Sequence, residues 1–297
     1  MYYRLLLPIM LCFLTMPSIA QEDMTIFSAS ISNIAYIDNG DERQVLDLYL
    51  PDESFAQPYP VLFMVHGGGF FAGDKQELAH VAQHYTAQGY AVIAPNYRLA
   101  PDVQFPSAHG DVFCAMAWTF ANAATYTLDT NQITLLGESA GGNIAAYLGA
   151  VDDATSFMSE CDLSYPDDPN FVSVILFYAP VDLLSCDCPV ARRMASIYTG
   201  ISYFDWEDEA DIAEFIDISV VSWLDENDPP FYLLHGDIDF LVPLSEAQLF
   251  VADYQAVGGQ AELVVFEGAN HGFLTGYPSP LLEISYQLID EWLAATS

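Results

Sequence analysis

The chain has 297 residues, 53% of them hydrophobic, which suits one large domain with a substantial core and asks for no second one. Against 41 Asp and Glu it sets only six Lys and Arg, a formal charge of −35 that repels polyanions and disfavours nucleic acid and anionic membranes as partners. Carboxylates crowded without cations also repel one another, and salt screens them over about 10 Å at 0.1 M, so stability and activity are expected to rise with added salt.

Residues 1–20 carry one charge, Arg4, then the apolar run Leu5 to Leu14, and end in Ser18-Ile19-Ala20, with small residues where a signal peptidase reads. This is the pattern of an export signal, and its apolar run is too short to span a bilayer. The expectation is a signal peptide over 1–20, a single domain over 21–297, and a secreted or periplasmic protein with no membrane anchor. Export removes Cys12 and leaves Cys114, Cys161, Cys186 and Cys188 in a compartment that permits disulfides. Only Asp187 separates Cys186 from Cys188, too close for an unstrained bridge, so one of the two is expected to reach Cys161. Zinc is not expected, because its sites need Cys and His at other spacings.

Ile31–Ile37 and Val45–Leu50 read as a hairpin around "DNGDER". Beyond it, short and nearly continuous apolar runs at 61–65, 91–94, 133–136, 172–178, 231–234 and 263–266 read as strands buried on both faces of a parallel sheet. Segments of helical period alternate with them at 76–88, 111–123, 143–150, 245–256 and 282–294. This is the rhythm of an open sheet covered by helices on both faces. One connection, 182–230, is anomalously long and carries cysteines, the aromatics of "IYTGISYFDW" and the acidic run "DWEDEADIAEFID". A connection of that length usually has a task, and a partial lid over the site is expected.

The chemistry concentrates at strand ends. Gly137-Glu138-Ser139-Ala140-Gly141 fits G-x-S-x-G where a strand passes into a helix. A serine forced into so sharp a turn projects its hydroxyl clear of the backbone, and the following helix turns its positive end and the Ala140 amide toward charge developing there. His66-Gly67-Gly68-Gly69-Phe70 follows the strand at 61–65. Its glycines leave N–H groups uncovered, and fixed donors of that kind facing an acyl oxyanion are worth roughly 10² to 10³ each in rate. Gly68, Gly69 and Ala140 are the expected donors. A phosphate loop would need a following Lys and Ser or Thr, which are absent.

Six histidines compete as base for Ser139. His80 and His84 share a helix face but have no evident third metal ligand; His66 belongs to the glycine turn, His109 to a loop, and His235 ends a strand. His271 remains, in "EGANHGF" after the last strand, at the carboxyl edge where open α/β sheets gather their sites. An orienting carboxylate is expected after the preceding strand, where "HGDIDFLVP" offers Asp237 and Asp239, and spacing alone does not separate them.

"LDLYLP", "HGGGF", "NYRLAPDVQFPSAHGDV", "GESAGG", "DPPFYLLHGDIDFLVP" and "GANHGF", in that order, resemble the hormone-sensitive-lipase-like esterases of the α/β-hydrolase fold across nearly the whole mature chain. The resemblance implies a mostly parallel eight-stranded sheet with helices on both faces and a partial lid insertion. It implies a serine carboxylesterase acting through Ser139, His271 and Asp239, since the family pattern H-G-x-x-D-x-x-V-P places its acid four residues after His235. No metal or cofactor is implied, and Arg98 and Asp111 are implied to pair beside the site. Short-chain, acetyl or feruloyl-type esters, as small molecules or on polysaccharide, are the substrates considered; the oligomeric state is left open. The rival readings are an arylformamidase, a prolyl-oligopeptidase-like peptidase, and a non-catalytic binding protein on the same fold.

Overall fold

The computed structural model describes residues 28–296 apart from 39, 168, 184–187, 202–212, 214–215 and 276–278. The signal peptide expected over 1–20, Cys186 and most of the acidic run at 205–217 therefore lie outside the described residues.

Eight strands form one sheet: β1 (Ile31–Ala35), β2 (Val45–Tyr49), β3 (Tyr59–Val65), β4 (Ala91–Pro95), β5 (Leu128–Glu138), β6 (Phe171–Phe177), β7 (Phe231–Gly236) and β8 (Ala261–Phe266). Their spatial order is β1-β2-β4-β3-β5-β6-β7-β8, antiparallel at β1–β2 and β2–β4 and parallel from β4 to β8. The hairpin read from the first two segments is present. In β3, Val61 through Val65 are all fully buried, as a strand covered on both faces must be. Each such aliphatic side chain contributes roughly 1.5–3 kcal/mol by leaving water.

The helices are α1 (Ala79–Thr86), α2 (Ser107–Tyr126), α3 (Ala140–Ala150), α4 (Pro189–Thr199), α5 (Leu244–Ala256) and α6 (Pro280–Thr296). One core gathers Val112, Ile144, Ala195 and Phe250 from α2, α3, α4 and α5; the other gathers Val81 and Tyr85 from α1 with Leu282 and Ile289 from α6. Two cores on one sheet mean helices on both of its faces, an α/β-hydrolase fold. The chain leaves β3 through α1 to reach β4 and then returns through α2 to β5, on the opposite flank of β3. The loops after β3 and β5 thus diverge at the carboxyl edge, and the crevice between them is where such sheets bind ligands.

Three local readings change. Helix α2 starts at Ser107, four residues before the expected Asp111, because Gly110 masks its period; a Cβ there would strike the Phe157 carbonyl. Helix α3 starts at Ala140, its first turn hidden by two glycines. The long 182–230 connection is not bare loop: it holds α4, in which Ala191, Ala195 and Tyr198 are buried along one face.

The disulfide reading is corrected. Cys114 on α2 bonds Cys161, with Cα atoms 5.7 Å apart, so neither Cys186 nor Cys188 reaches Cys161. After α3 the chain folds back across α2, where Phe157 stacks on Phe113 at 5.5 Å, and this carries Cys161 to Cys114. Cys188 is disulfide-bonded too. Among the described residues no helix is long and apolar enough to cross a membrane.

Candidate active site

Ser139 sits between β5 and α3 with φ 52° and ψ −122°, a conformation that costs a non-glycine residue about 1–3 kcal/mol. The surroundings hold it there. Its amide donates to the Phe177 carbonyl at 2.9 Å, and a Cβ on Gly137 would lie 2.7 Å from the Gly142 Cα. A Cβ on Gly141 would strike the Val65 and His66 carbonyls, so only glycine lets the start of α3 press against the exit of β3.

That contact sets the glycine loop beside Ser139. Gly68 and Gly69 have φ of 114° and 62°, and the Phe71 and Ala72 amides donate to the Gly68 carbonyl at 3.2 and 3.0 Å. Among the described residues none accepts a hydrogen bond from the amides of Gly68, Gly69 or Ala140. A Cβ on Gly69 would lie 2.8 Å from the Phe71 ring and 3.0 Å from the Met194 sulfur, so α4 of the long connection overhangs this loop.

The structure brings His271 and Asp239 to the serine. His271 Nε2 is 2.9 Å from Ser139 Oγ and its Nδ1 is 2.7 Å from Asp239 Oδ2. Asp239 has a fully buried side chain, and its Oδ1 accepts the Leu241 and Val242 amides, both at 2.9 Å. It is therefore fixed as an acceptor at both oxygens, and Asp239 Oδ2 draws the imidazole proton to Nδ1, leaving Nε2 to accept from the hydroxyl. Asp237 lies elsewhere, exposed, with Oδ1 accepting the Gly268 amide at 2.6 Å.

The other histidines are engaged otherwise. Burial pushes the His66 imidazole down to about 4 and that of His109 down to about 3, so both are neutral at physiological pH. Burial also lowers His235, whose Nε2 donates to the Val242 carbonyl at 2.8 Å behind Asp239. His80 bonds the Leu274 carbonyl at 3.1 Å, and His84 stacks on Tyr286 at 3.9 Å. Among the described residues no cluster of His, Cys, Asp or Glu is arranged to hold a metal ion. Arg98 and Asp111 pair through Nη2–Oδ1 at 2.8 Å and Nε–Oδ2 at 2.9 Å, while the Gln44 amide donates to the same carboxylate at 2.7 Å.

Sequence reasoning missed two residues here. Tyr178 follows the apolar run of β6 and packs its ring 4.5 Å from that of His271; its place at the carboxyl edge of a strand was the available signal. Met194 had none, since its approach to Gly69 depends on how α4 docks. Glu138 Oε1 accepts the Gly67 amide at 2.8 Å, and burial raises its carboxyl above the usual range.

The chain that carries this arrangement is similar to known proteins. A family model described as BD-FAE covers residues 46–254, which include Ser139, Asp239 and the glycine loop. The chain belongs to the BD-FAE family. Esterase LipC of Mycobacterium tuberculosis is 29% identical over 238 residues, 78% of this chain and 58% of LipC. The BD-FAE chain thus spans about half to three-fifths of the length of the curated relatives it matches. Among solved structures, a truncated carbohydrate esterase from gut microbiota superposes with a TM-score of 0.75 at 23% identity, covering 91% of this chain and 98% of that one. Esterase 2 of Thermogutta terrifontis with propionate bound superposes with a TM-score of 0.69 at 25% identity, covering 91% and 95%.

Proposed function

We propose that the protein is a serine carboxylesterase in which Ser139 is the nucleophile, His271 the general base and Asp239 its orienting carboxylate. The observation that carries this is the unbroken line from Asp239 through His271 to Ser139, at 2.7 and 2.9 Å. His271 takes the hydroxyl proton as Ser139 attacks the ester carbonyl; the amides of Gly68, Gly69 and Ala140 receive the oxyanion; the protonated imidazole then returns its proton to the leaving alcohol. Water, activated by the same imidazole, releases the acid. The similarity to esterases, the fixed acceptor pair on Asp239 and the uncommitted amides all support this reading.

Short acyl chains are the proposed substrates, acetyl esters foremost, free or carried on polysaccharide. The propionate held by the Thermogutta esterase supports a small acyl group, as does the closeness of Met194 and Phe71 to Gly69. We place residues 1–20 as an export signal, 21–297 as one domain and 182–230 as a partial lid. The Cys114–Cys161 disulfide supports an oxidising destination, secreted or periplasmic, and the position of α4 supports the lid.

Hydrolysis of p-nitrophenyl acetate by Ser139→Ala, with fluorophosphonate labelling of the parent, tests the assignment. The expected result is a label on Ser139 and a loss of at least about a thousandfold in kcat. Activity within tenfold of the parent would reject it.

A further inference from the structure

Helix α4 rests on the glycine loop. Its buried face carries Ala191, Ala195 and Tyr198, and Met194 stands one turn before Tyr198 on that side. Two successive loop residues meet it. The Tyr198 ring stacks on Phe70 with centroids 4.6 Å apart and planes 12° from parallel, and the Met194 sulfur would lie 3.0 Å from a Cβ on Gly69. A buried chain of hydrogen bonds holds the helix there. The Tyr198 hydroxyl accepts the Ala108 amide at 3.0 Å and bonds His109 Nδ1, also at 3.0 Å; His109 Nε2 is 3.0 Å from Asn143 Oδ1. Asn143 Nδ2 donates in turn to the Pro180 and Ile218 carbonyls at 3.0 and 3.2 Å, and the Tyr198 carbonyl accepts the Phe105 amide at 2.9 Å.

These bonds fix one another's direction. The Asn143 amide nitrogen donates to two carbonyls, so its oxygen accepts; His109 therefore carries its proton on Nε2, and Nδ1 accepts from the Tyr198 hydroxyl. Tyr198, His109 and Asn143 are all fully buried, so breaking a link strands a donor or acceptor away from water. Asn143, on α3 one turn beyond Ser139, grips the chain before and after α4, while His109 and Tyr198 grip the helix itself. We propose that this chain locks α4 in place, with Tyr198 as a positioning residue, and that Met194, so held, is the specificity-determining residue that sets the acyl length the site accepts. This rests on the esterase reading of the same site. A carbonyl oxygen bound by the Gly68 and Gly69 amides puts the acyl carbons a few bonds from the loop, where a lengthening chain meets whatever stands against Gly69. Phe71 stands there too, but its ring is exposed and can give way to solvent, whereas a locked helix cannot. One methylene against a fixed wall is worth about tenfold or more in kcat/KM.

Met194→Ala removes the wall, and because Met194 is only half-buried the core stays filled. Tyr198→Phe keeps the ring on Phe70 but leaves His109 Nδ1 and the Ala108 amide without their partner, which opens the lock. Parent, both variants and the double variant would be assayed with p-nitrophenyl acetate and p-nitrophenyl hexanoate at 15 °C, with folding followed by circular dichroism and Ser139 labelled by a fluorophosphonate. The shared alcohol leaves the acyl chain as the only difference, so the readout is kcat/KM for hexanoate divided by that for acetate. Expected are a rise of about tenfold in this ratio for M194A, a rise of about threefold or more for Y198F, and a double variant no more permissive than M194A itself. A Tyr198 that served stability alone would lower the melting temperature and leave the ratio in place. The proposal is overturned by a ratio that moves less than about threefold in either single variant, or by rises that multiply in the double variant. Should Y198F fail to fold, His109→Gln, whose amide replaces Nε2–H toward Asn143 but drops the bond to Tyr198, is held to the same threshold. A parent that neither turns over ester nor takes the label sinks the esterase reading and this inference with it; a labelled, active parent whose ratio M194A leaves in place sinks only the inference.

Discussion

Replacing Asp239 by Asn tests the site at its most constrained point. Oδ1 of Asp239 accepts two buried amides, Leu241 and Val242, each at 2.9 Å. Leaving either amide unpaired costs about 1–3 kcal/mol, so the carboxamide oxygen of the variant must stay on that side and its NH2 must take the place of Oδ2, 2.7 Å from His271 Nδ1. A donor there requires Nδ1 to accept, which moves the imidazole proton to Nε2, where it faces the Ser139 hydroxyl. The base is then in the wrong tautomer while the geometry is intact. A change of this kind is worth about 10⁴ in kcat, or about 5.5 kcal/mol of transition-state stabilisation. Asp237→Asn keeps an oxygen for the Gly268 amide and lies on an exposed turn, so its kcat should stay within about threefold of the parent. Initial rates of p-nitrophenyl acetate hydrolysis by the two variants, compared at one pH, decide it. Equal losses, or D239N within tenfold of the parent, would refute the reasoning.

Other consequences follow from the same structure. The Cys114–Cys161 bridge closes a loop of 47 residues, and chain-entropy reasoning gives it about 4 kcal/mol; C114A/C161A should unfold at correspondingly lower urea, and a loss under about 1 kcal/mol would show that the constraint does little. Burial pushes the Glu246 carboxyl up to about 7, so between its ordinary value and 7 the folded chain holds a proton that the unfolded chain has released. The resulting stabilisation is complete at acid pH and lost as pH rises through 7. The melting temperature of E246Q relative to the parent should therefore climb from pH 5.5 to 8, with a free-energy span of about 2 kcal/mol; a difference independent of pH would contradict it. Cations are few, and several are spent inside the fold: Arg43 donates to the Gly73 and Tyr97 carbonyls, Lys75 pairs with buried Asp47 at 3.4 Å, and Arg98 is shared between buried Asp111 and Glu160, so six Lys and Arg face 41 Asp and Glu. Melting temperature should rise between 0.05 and 1 M NaCl, and a flat profile would count against self-repulsion.

Much of this architecture is written in short-range pattern. The apolar runs that become β3, β4 and β7 need neighbours on both faces wherever they are placed, and the glycines about Ser139 are demanded by clearance within a few residues. Where local period was interrupted, the reading failed. Gly110 concealed the start of α2, and a connection taken for loop conceals the amphipathic turns of α4. The cysteines were misread because separation along the chain says nothing about a segment that doubles back over α2 to meet Cys114.

The candidate site divides in the same way. A hydroxyl at a strand-to-helix turn and a run of glycines after a strand are recognisable one at a time, because each is a local solution to a local steric problem. Whether Asp237 or Asp239 faces the imidazole is not, since both follow one strand, and the family pattern was needed to choose between them. Ser139 and His271 lie 132 residues apart and meet because the loop after β8, three strands from β5 in the sheet, reaches back along the carboxyl edge, and Tyr178 and Met194 join them from connections whose paths no spacing reveals. Distances between remote side chains are set by strand order and by how helices dock, which depend on the sum of all contacts rather than on any one stretch of the chain.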